Sequence, residues 1–397
     1  MVNRNVLGID VGTSHIKVFI GTVDMDGRLL IAGSGTAPTA GFVKGAITDV
    51  EALALSISQA IDCAVMATNI SIKDAYIGIG GVEISSTSSI GSIAPSSTHV
   101  ITHEDINRLY QAAVLAGVPD DHEVLHLLPK KFFVDKKRQV ELSLQQKCTH
   151  LELEAHIITM PKIIFHKLVS AVESLGIHVL GIVSNPIVAA QVLPTVNNQN
   201  YLFMDVGAGT TELILYRDRQ IYLSASLPLG GDYITSDIMK GLNISHNHAE
   251  EVKKYYAKLD SNLRGQNIIL DCNDYGTTDK QVSYDFLNEI IESRIDEIVY
   301  LVYDYVKGTV VADKIEKVFL AGGCGAMANF SDGVERVFGL PIEVVTLQEL
   351  PAEYARSSNI ACYGVLTYSA NNMPDTPLMG NRTWRSLVSK CKKFFIK

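Results

Sequence analysis

Two segments of this chain carry the same pattern, with their aspartates 195 positions apart. The first runs Val6-Leu7-Gly8-Ile9-Asp10-Val11-Gly12-Thr13-Ser14 and continues through His15, Ile16 and Lys17 to Gly21. The second runs Leu202-Phe203-Met204-Asp205-Val206-Gly207-Ala208-Gly209-Thr210-Thr211 and continues through Glu212 to Tyr216. Each is an apolar strand, an Asp, a glycine-rich turn with hydroxyls, and a second apolar strand. Such a duplication predicts two similar α/β lobes closing on one nucleotide.

The chemistry follows from the turns. A phosphate chain needs backbone N–H groups aimed at it and no Cβ in the way, which glycines in a tight strand-to-strand turn supply. Thr13, Ser14, Thr210 and Thr211 add hydroxyl donors. Asp10 and Asp205 fall at the strand ends, and two carboxylates beside phosphate call for a divalent cation, which for Mg²⁺ is held through water. Taken singly, each segment suits an ordinary hairpin turn. A third motif adds context: the strand Val318–Ala321 runs into Gly322-Gly323-Cys324-Gly325 before Ala326-Met327. A base or ribose can lie against such backbone, although a plain strand-to-helix turn has the same sequence. Gly230-Gly231 begins a helix whose N-terminus is a candidate anion site. Glu250 and Lys253, one helical turn apart, read by spacing alone as a surface pair.

Bulk properties narrow the class. At 397 residues the chain exceeds one compact core. Its net charge of −9 argues against general nucleic-acid affinity. The last seventeen residues hold six basic side chains and no acid, so the rest stands near −15. Six scattered cysteines without Cys-x-x-Cys spacing suggest free thiols in a reducing compartment. No signal peptide is expected, and no stretch is expected to reach the ~18 apolar residues of a spanning helix.

Periodicity predicts strands over 6–21, helices over 51–67 and 103–116, and strands at 75–79, 123–133 and 151–159. The Ser/Thr/Gly/Ile texture of 85–97 reads as a short sheet rather than a linker. Helices follow at 161–176, 233–242, 248–259, 284–307 and 359–368, with a polar stretch at 260–281. Residues 369–380 read as a flexible linker and 381–396 as a last helix. His246 and His248 sit in a polar turn as solvent-facing groups, and His126 as a core histidine.

Asp10-x-Gly12-Thr13, Asp205-x-Gly207-x-Gly209-Thr210-Thr211 and Gly322-Gly323 together resemble the phosphate 1, phosphate 2 and adenosine motifs of the actin/Hsp70/sugar-kinase superfamily. Within it the chain resembles the FtsA family of bacterial cell-division proteins. That narrower likeness rests on Gly45–Glu51, Val124–Pro129, Ala155–Thr159, Pro228–Ile238, Ala249-Glu250-x-x-Lys253 and the basic tail, and spans nearly the whole chain. It implies an actin-like two-lobed ATPase fold of duplicated ribonuclease-H-like domains, with a small α+β insert in the first lobe.

The implied division is first lobe 1–81 and 162–200, insert 82–161, second lobe 201–242 and 313–352, a subdomain at 243–312, a return helix at 353–368, linker 369–380 and tail 381–397. ATP with Mg²⁺ is the implied ligand. The implied contacts are Asp10, Gly12, Thr13, Ser14, His15, Lys17, Asp205, Gly207, Ala208, Gly209, Thr210, Thr211, Gly230, Gly231, Gly322, Gly323, Cys324 and Met327. The resemblance also turns Glu250 and Lys253 into adenosine-side contacts. Asp10 and Asp205 would hold the metal. The implied role is a filament-forming protein on the cytoplasmic face of the inner membrane at the division site. It would bind the FtsZ C-terminal peptide and later division proteins, and be at most a weak ATPase. Two departures stand out: Ala208 and Glu212 replace the family's usual Gly and Asp, and Lys136–Lys147 replaces its Pro-(Ile/Val)-Gly stretch.

The tail has its own logic. Trp384, Leu387, Val388, Cys391, Phe394 and Phe395 form one helical stripe, with Arg385, Lys392 and Lys393 opposite and Lys390 beside it. A cationic helix with an aromatic face suits the interface of an anionic bilayer. Two other readings share the phosphate turns: an assembly platform of the type IV pilus PilM kind, needing no lipid anchor of its own, and a small-molecule kinase, needing a placed base.

Overall fold

The computed structural model describes residues 4–68, 70, 72–94, 99–139, 142–144, 146–193, 200–218, 220–256, 269–271, 281–309 and 314–372. The tail, the linker from 373 onward and most of the 260–281 stretch lie outside the described residues. The chain divides into two compact units: Met1–Val192 with Gln220–Ala225 and Ala361–Lys397, and Leu193–Arg219 with Ser226–Ile360.

The first unit opens with β1 (Arg4–Val11), β2 (His15–Val23) and β3 (Leu29–Pro38), a small hairpin of β4 (Phe42–Val43) and β5 (Ala46–Ile47), then α1 (Val50–Thr68) and β6 (Asp74–Ile79). The insert follows: β7 (Ser85–Ile93), β8 (His99–Val100), α2 (His103–Gly117), β9 (His122–Val134), β10 (Lys137–Gln139), β11 (Lys147–Cys148) and β12 (Leu151–Pro161). Then come α3 (Lys162–Glu173), β13 (His178–Ser184) and α4 (Asn185–Gln191). The main sheet has the order β13-β6-β1-β2-β3. β1 pairs antiparallel with β2 and parallel with β6.

Asp49 starts α1 by accepting from the Glu51 and Ala52 amides, 3.0 Å each. Leu53, Ile57, Ala60 and Ala64 face the sheet, where Gly35 of β3 leaves no Cβ against the Ala60 carbonyl. By length and hydropathy α1 does reach the threshold for a spanning helix, contrary to the expectation above. It is Ala-rich with only Glu51 and Asp62 charged, and its small residues serve close packing on β3.

The insert is a sheet of order β10-β9-β12-β7 with α2 laid on it. Thr102 and Asp105 cap α2 reciprocally. The Ser/Thr-rich segment is thus a nine-residue strand, with Ser89 donating to the Ala113 carbonyl of α2 at 2.6 Å. Polar contacts tie the other sheet face to the segment Gln220–Ala225. Ser86 Oγ donates to the Ser224 carbonyl (2.8 Å), Gln220 Nε2 donates to the Lys130 carbonyl (2.5 Å), and His156 Nε2 shares a hydrogen bond with Ser224 Oγ (2.9 Å). His126 is a core histidine whose Nε2 accepts the Ser184 amide at 2.9 Å.

The second unit contains β14 (Tyr201–Val206), β15 (Thr211–Arg217), the end of β16 (Gln220–Leu227), α5 (Gly231–Leu242), α6 (His246–Tyr256), β17 (Ile269–Asp271), β18 (Gln281–Ser283), α7 (Tyr284–Lys307), β19 (Lys317–Ala321), α8 (Ala328–Phe338) and β20 (Ile342–Val344). Its sheet order is β16-β15-β14-β19-β20. Here too the central strand pairs antiparallel with its hairpin mate and parallel with a later strand. The two sheets therefore repeat one topology, as the duplicated sequence requires.

Two boundaries differ from expectation. α6 begins at His246, because Ser245 caps it through the His248 amide (3.3 Å), so both histidines lie on the helix rather than in a turn. The last helix, α9 (Ile360–Asn372), runs four residues into the expected linker. Arg4 bonds the Ala370 carbonyl (2.8 Å), Tyr76 bonds that of Asn372 (3.2 Å), and Ser369 is fully buried.

His156 makes the first unit acid-sensitive. Burial, with help from the charge of Lys130, lowers its pKa to about 3. Its Nδ1 has no hydrogen-bond partner among the described residues. The unfolded chain takes up a proton near pH 6.5 that the folded chain refuses, so stability is lost as pH falls from about 6.5 toward 3. Between pH 7.5 and 5.5 the loss is about 1.4 kcal/mol. Urea unfolding at the two pH values should show His156→Gln losing about that much less than wild type; equal losses would refute the assignment.

Candidate functional site

Both hairpin turns are built alike. A Cβ on Gly12 would stand 2.8 Å from the His15 carbonyl oxygen, and one on Gly207 would stand 3.2 Å from that of Thr210, the residue three positions on in each case. Asp10 lies opposite Lys17 in the β1–β2 register, and Asp205 lies opposite Glu212 in β14–β15. Each Asp has a parallel strand beside it, at Gly78 in one unit and Ala321 in the other.

In the first unit Asp10 is buried, and its Oδ1 accepts a 2.7 Å hydrogen bond from Asn185 Nδ2. Burial pushes the Asp10 carboxyl up, against the pull of the Lys17 charge and the Asn185 hydrogen bond. The Asn185 amide occupies the space that a Cβ on Gly78 would fill. Asn185 Oδ1 is buried without a partner among the described residues. Around the turn, Thr39 Oγ1 donates to the Gly12 carbonyl (2.7 Å), and Ser14 Oγ shares a hydrogen bond with His15 Nδ1 (2.8 Å). Sequence reading missed Asn185 because its partner lies 175 positions away. The available signal was Ser184-Asn185-Pro186, a strand end followed by a helix start.

In the second unit α5 clamps the turn. The Gly231 amide donates to the Gly207 carbonyl (3.0 Å) and the Asp232 amide to that of Ala208 (2.8 Å). Those first-turn amides are thereby spent, so the α5 N-terminus holds the turn rather than presenting these donors to an anion. The Thr210 hydroxyl donates to Glu212 (3.0 Å) and the Thr211 hydroxyl to the Leu229 carbonyl (2.7 Å). Both hydroxyl protons are thus engaged within the protein, whereas the sequence suggested them as donors to a ligand. Glu212, buried, also accepts from Ser226 at 3.0 Å.

The glycine motif after β19 closes on the same turn. Gly322 has a φ of 91°, and a Cβ there would strike the Val206 carbonyl and the Asp205 carboxylate. The Cys324 amide donates to the Val206 carbonyl at 3.1 Å. Met327 is buried at the start of α8, while Gly323 is exposed.

Glu250 and Lys253 are not a surface pair. Lys253 is 5 % exposed; its Nζ lies 2.6 Å from Glu250 Oε2, 2.8 Å from Thr235 Oγ1 and 3.1 Å from the Gly231 carbonyl. Burial alone would raise the Glu250 pKa, yet Lys253 and the hydrogen bonds from Lys253 and Thr235 hold it below the usual carboxylate value. Cys324 lies against Gly231, and burial pushes its thiol up.

Comparison with known proteins bears on this arrangement. A family model described as "Cell division protein FtsA" matches residues 202–363, and one described as "SHS2 domain inserted in FTSA" matches residues 81–159. The cell division protein FtsA of Bacillus subtilis is 30% identical over 329 residues, covering 82% of this chain and 74% of that protein. That of Pseudomonas aeruginosa is 29% identical over 345 residues, 86% of this chain and 82% of that protein. That of Borreliella burgdorferi is 28% identical over 414 residues, 100% of this chain and 99% of that protein. Among solved structures, a PilM–PilN type IV pilus biogenesis complex aligns with a TM-score of 0.67 at 13% identity, covering 93% of this chain and 99% of that one. MreB5 of Spiroplasma citri bound to AMPPNP aligns with a TM-score of 0.51 at 15% identity, covering 91% and 95%. These structural likenesses carry the fold, which is actin-like.

Packing at Gly231 gives a direct test. Gly231→Ala should lower stability by about 2 kcal/mol, because the methyl meets the Cys324 sulfur. Adding Cys324→Ala should recover at least about 1 kcal/mol of that loss. Urea unfolding of the four proteins of the cycle measures the coupling, and simple additivity would refute the contact.

Proposed function

The chain belongs to the FtsA family of cell-division proteins, and from that membership we propose that it binds ATP and polymerises on the cytoplasmic face of the inner membrane. There it tethers FtsZ filaments through their C-terminal peptide and recruits later division proteins. The observation that carries the nucleotide reading is the matched pair of turns. Each is a hairpin with its glycine over a carbonyl three residues on and its Asp beside a parallel strand.

On this reading the backbone of Gly12–Ser14 and of Gly207–Thr211 faces the phosphates, with His15 and Lys17 beside the first turn. Glu250, Lys253, Gly322, Gly323, Cys324 and Met327 serve the adenosine side, and Gly230 and Gly231 hold the second turn in place. Asp10 and Asp205 are the residues that would hold Mg²⁺ through water. The orphaned, buried Asn185 Oδ1 beside Asp10 fits a further polar neighbour such as a metal-bound water. The ion's contribution is to offset triphosphate charge. Lys17 and Asn185 do the protein's part, favouring ionised Asp10 against its burial. Any ATPase activity is weak, and we assign no catalytic base.

The tail distinguishes a membrane tether from a pilus-type platform that borrows its anchor. Six basic residues near an anionic leaflet contribute at most roughly 6 kcal/mol, and the aromatic stripe adds to that. Removing residues 381–397 should release the protein from anionic liposomes in a flotation assay; retained binding would defeat the tether.

Gly209→Asp and Asp205→Ala should each weaken ATP–Mg²⁺ binding at least about tenfold, a loss of about 1.4 kcal/mol, in titration calorimetry. Wild-type affinity in both variants would overturn the phosphate assignment.

A further inference from the structure

The tip of the insert carries charge that nucleotide binding does not use. β9 turns into β10 through Asp135 and Lys136, whose φ angles are 48° and 67°. In such a two-residue turn, asparagine or aspartate followed by glycine is the favoured sequence, because glycine sits there without a Cβ penalty. This chain places lysine at that second position. Lys136, Lys137 and Arg138 follow one another, and all three are exposed.

Asp135 forms no ion pair with them among the described residues, and its single carboxylate charge leaves the three cations in excess. Its Oδ1 accepts from the Thr149 amide (2.9 Å), the Thr149 hydroxyl (2.7 Å) and the His150 amide (2.9 Å). Those bonds also bring Lys147, two positions before Thr149, to the same end of the insert. Among the described residues none of Lys136, Lys137, Arg138 and Lys147 has an acidic partner, whereas nearby Lys131 is paired with Glu154 at 2.9 Å. In a chain of net charge −9 the tip is a local field of opposite sign.

β10 is the outermost strand of its sheet, so among the described residues one backbone edge of Lys137–Gln139 has no strand beside it. A free edge receives an extended chain through main-chain hydrogen bonds, and cations along it select an acidic one. The turn residues 135–138 include no apolar side chain of the sort a membrane-inserting tip would show. We propose that the insert tip docks an extended acidic segment of a partner protein, which adds as a strand beside β10 with its carboxylates on Lys136, Lys137, Arg138 and Lys147. This goes beyond the nucleotide and membrane roles and does not rest on them.

The test uses the full chain, free of lipid and nucleotide, with a fluorescein-labelled peptide of alternating glutamate and valine read by anisotropy. Binding should weaken about tenfold between low and physiological ionic strength. The variant Lys137→Glu with Arg138→Glu should lose at least about tenfold in affinity, and Lys137→Ser with Arg138→Ser should lose less. Unchanged melting temperatures would show that both variants fold. Hydrogen exchange of the Lys137–Gln139 amides should slow when the peptide binds. Undetectable binding by wild type, equal binding by wild type and both variants, or equal binding of a lysine–valine peptide would overturn the proposal, as would binding without slowed exchange at those amides. Vesicles of phosphatidylglycerol provide the lipid arm. Should charge reversal weaken vesicle binding while leaving peptide binding intact, the tip belongs to lipid and the proposal falls.

Discussion

Backbone lying directly on backbone is the constraint from which the rest of this structure follows. Each hairpin turn must bend within a few residues and still bring its main chain against neighbouring carbonyls. Gly12 and Gly207 permit the bend, and Gly78 leaves room for the Asn185 side chain beside Asp10. In the second unit Gly230, Gly231 and Gly322 let α5 and the loop after β19 close on the Gly207–Ala208 carbonyls and on Val206. Any Cβ at those points would push the turn away from the elements that fix it. Tight main-chain packing also holds the turn's remaining N–H groups in place before any ligand arrives, which is what preorganised anion binding needs.

Among the described residues, charge is buried around these turns at Asp10, Glu212 and Lys253, and each has partners; Glu212 accepts from Thr210 and Ser226. Asp10 is offset by Lys17 across the hairpin and by the Asn185 amide. Lys253 is offset by Glu250, while Thr235 and the Gly231 carbonyl take up its remaining donors. A buried pair of this kind adds little net stability, because desolvation consumes most of the Coulomb gain. Its effect is positional: α6 is pinned to the first turn of α5, whose amides in turn hold the Gly207–Ala208 carbonyls. The Lys253–Glu250 pair thereby fixes the second turn without belonging to it.

The duplicated turns were legible in the sequence because their information is local. Strand, Asp, Gly and hydroxyl occupy a dozen consecutive positions, and the matched sheet orders follow from the copies. The α2 helix and the β7 strand were local in the same sense. What escaped was set by partners far along the chain. Asn185 gains its meaning from Asp10 and Gly78. α9 extends to Asn372 because Arg4 and Tyr76 donate to the carbonyls of its last turn. Lys253 shows the limit most plainly, since i,i+3 spacing is identical for a solvated pair and a buried one. Only the family resemblance moved it to the site. α1 erred in the other direction: an Ala-rich helix built to approach glycines of β3 has the bulk hydropathy of a membrane segment.

Ala208 and Glu212 replace the family's usual residues, and the structure shows how the turn absorbs them. The Ala208 carbonyl, not its methyl, carries the clamp, through the Asp232 amide and the close approach of Gly230. Glu212 takes the hydroxyls of Thr210 and Ser226. That arrangement engages the hydroxyl protons of the turn and, on the proposed reading, leaves its main chain to meet phosphate. A turn fixed in this way before any ligand arrives suits the proposed role, in which nucleotide binding sets a conformation.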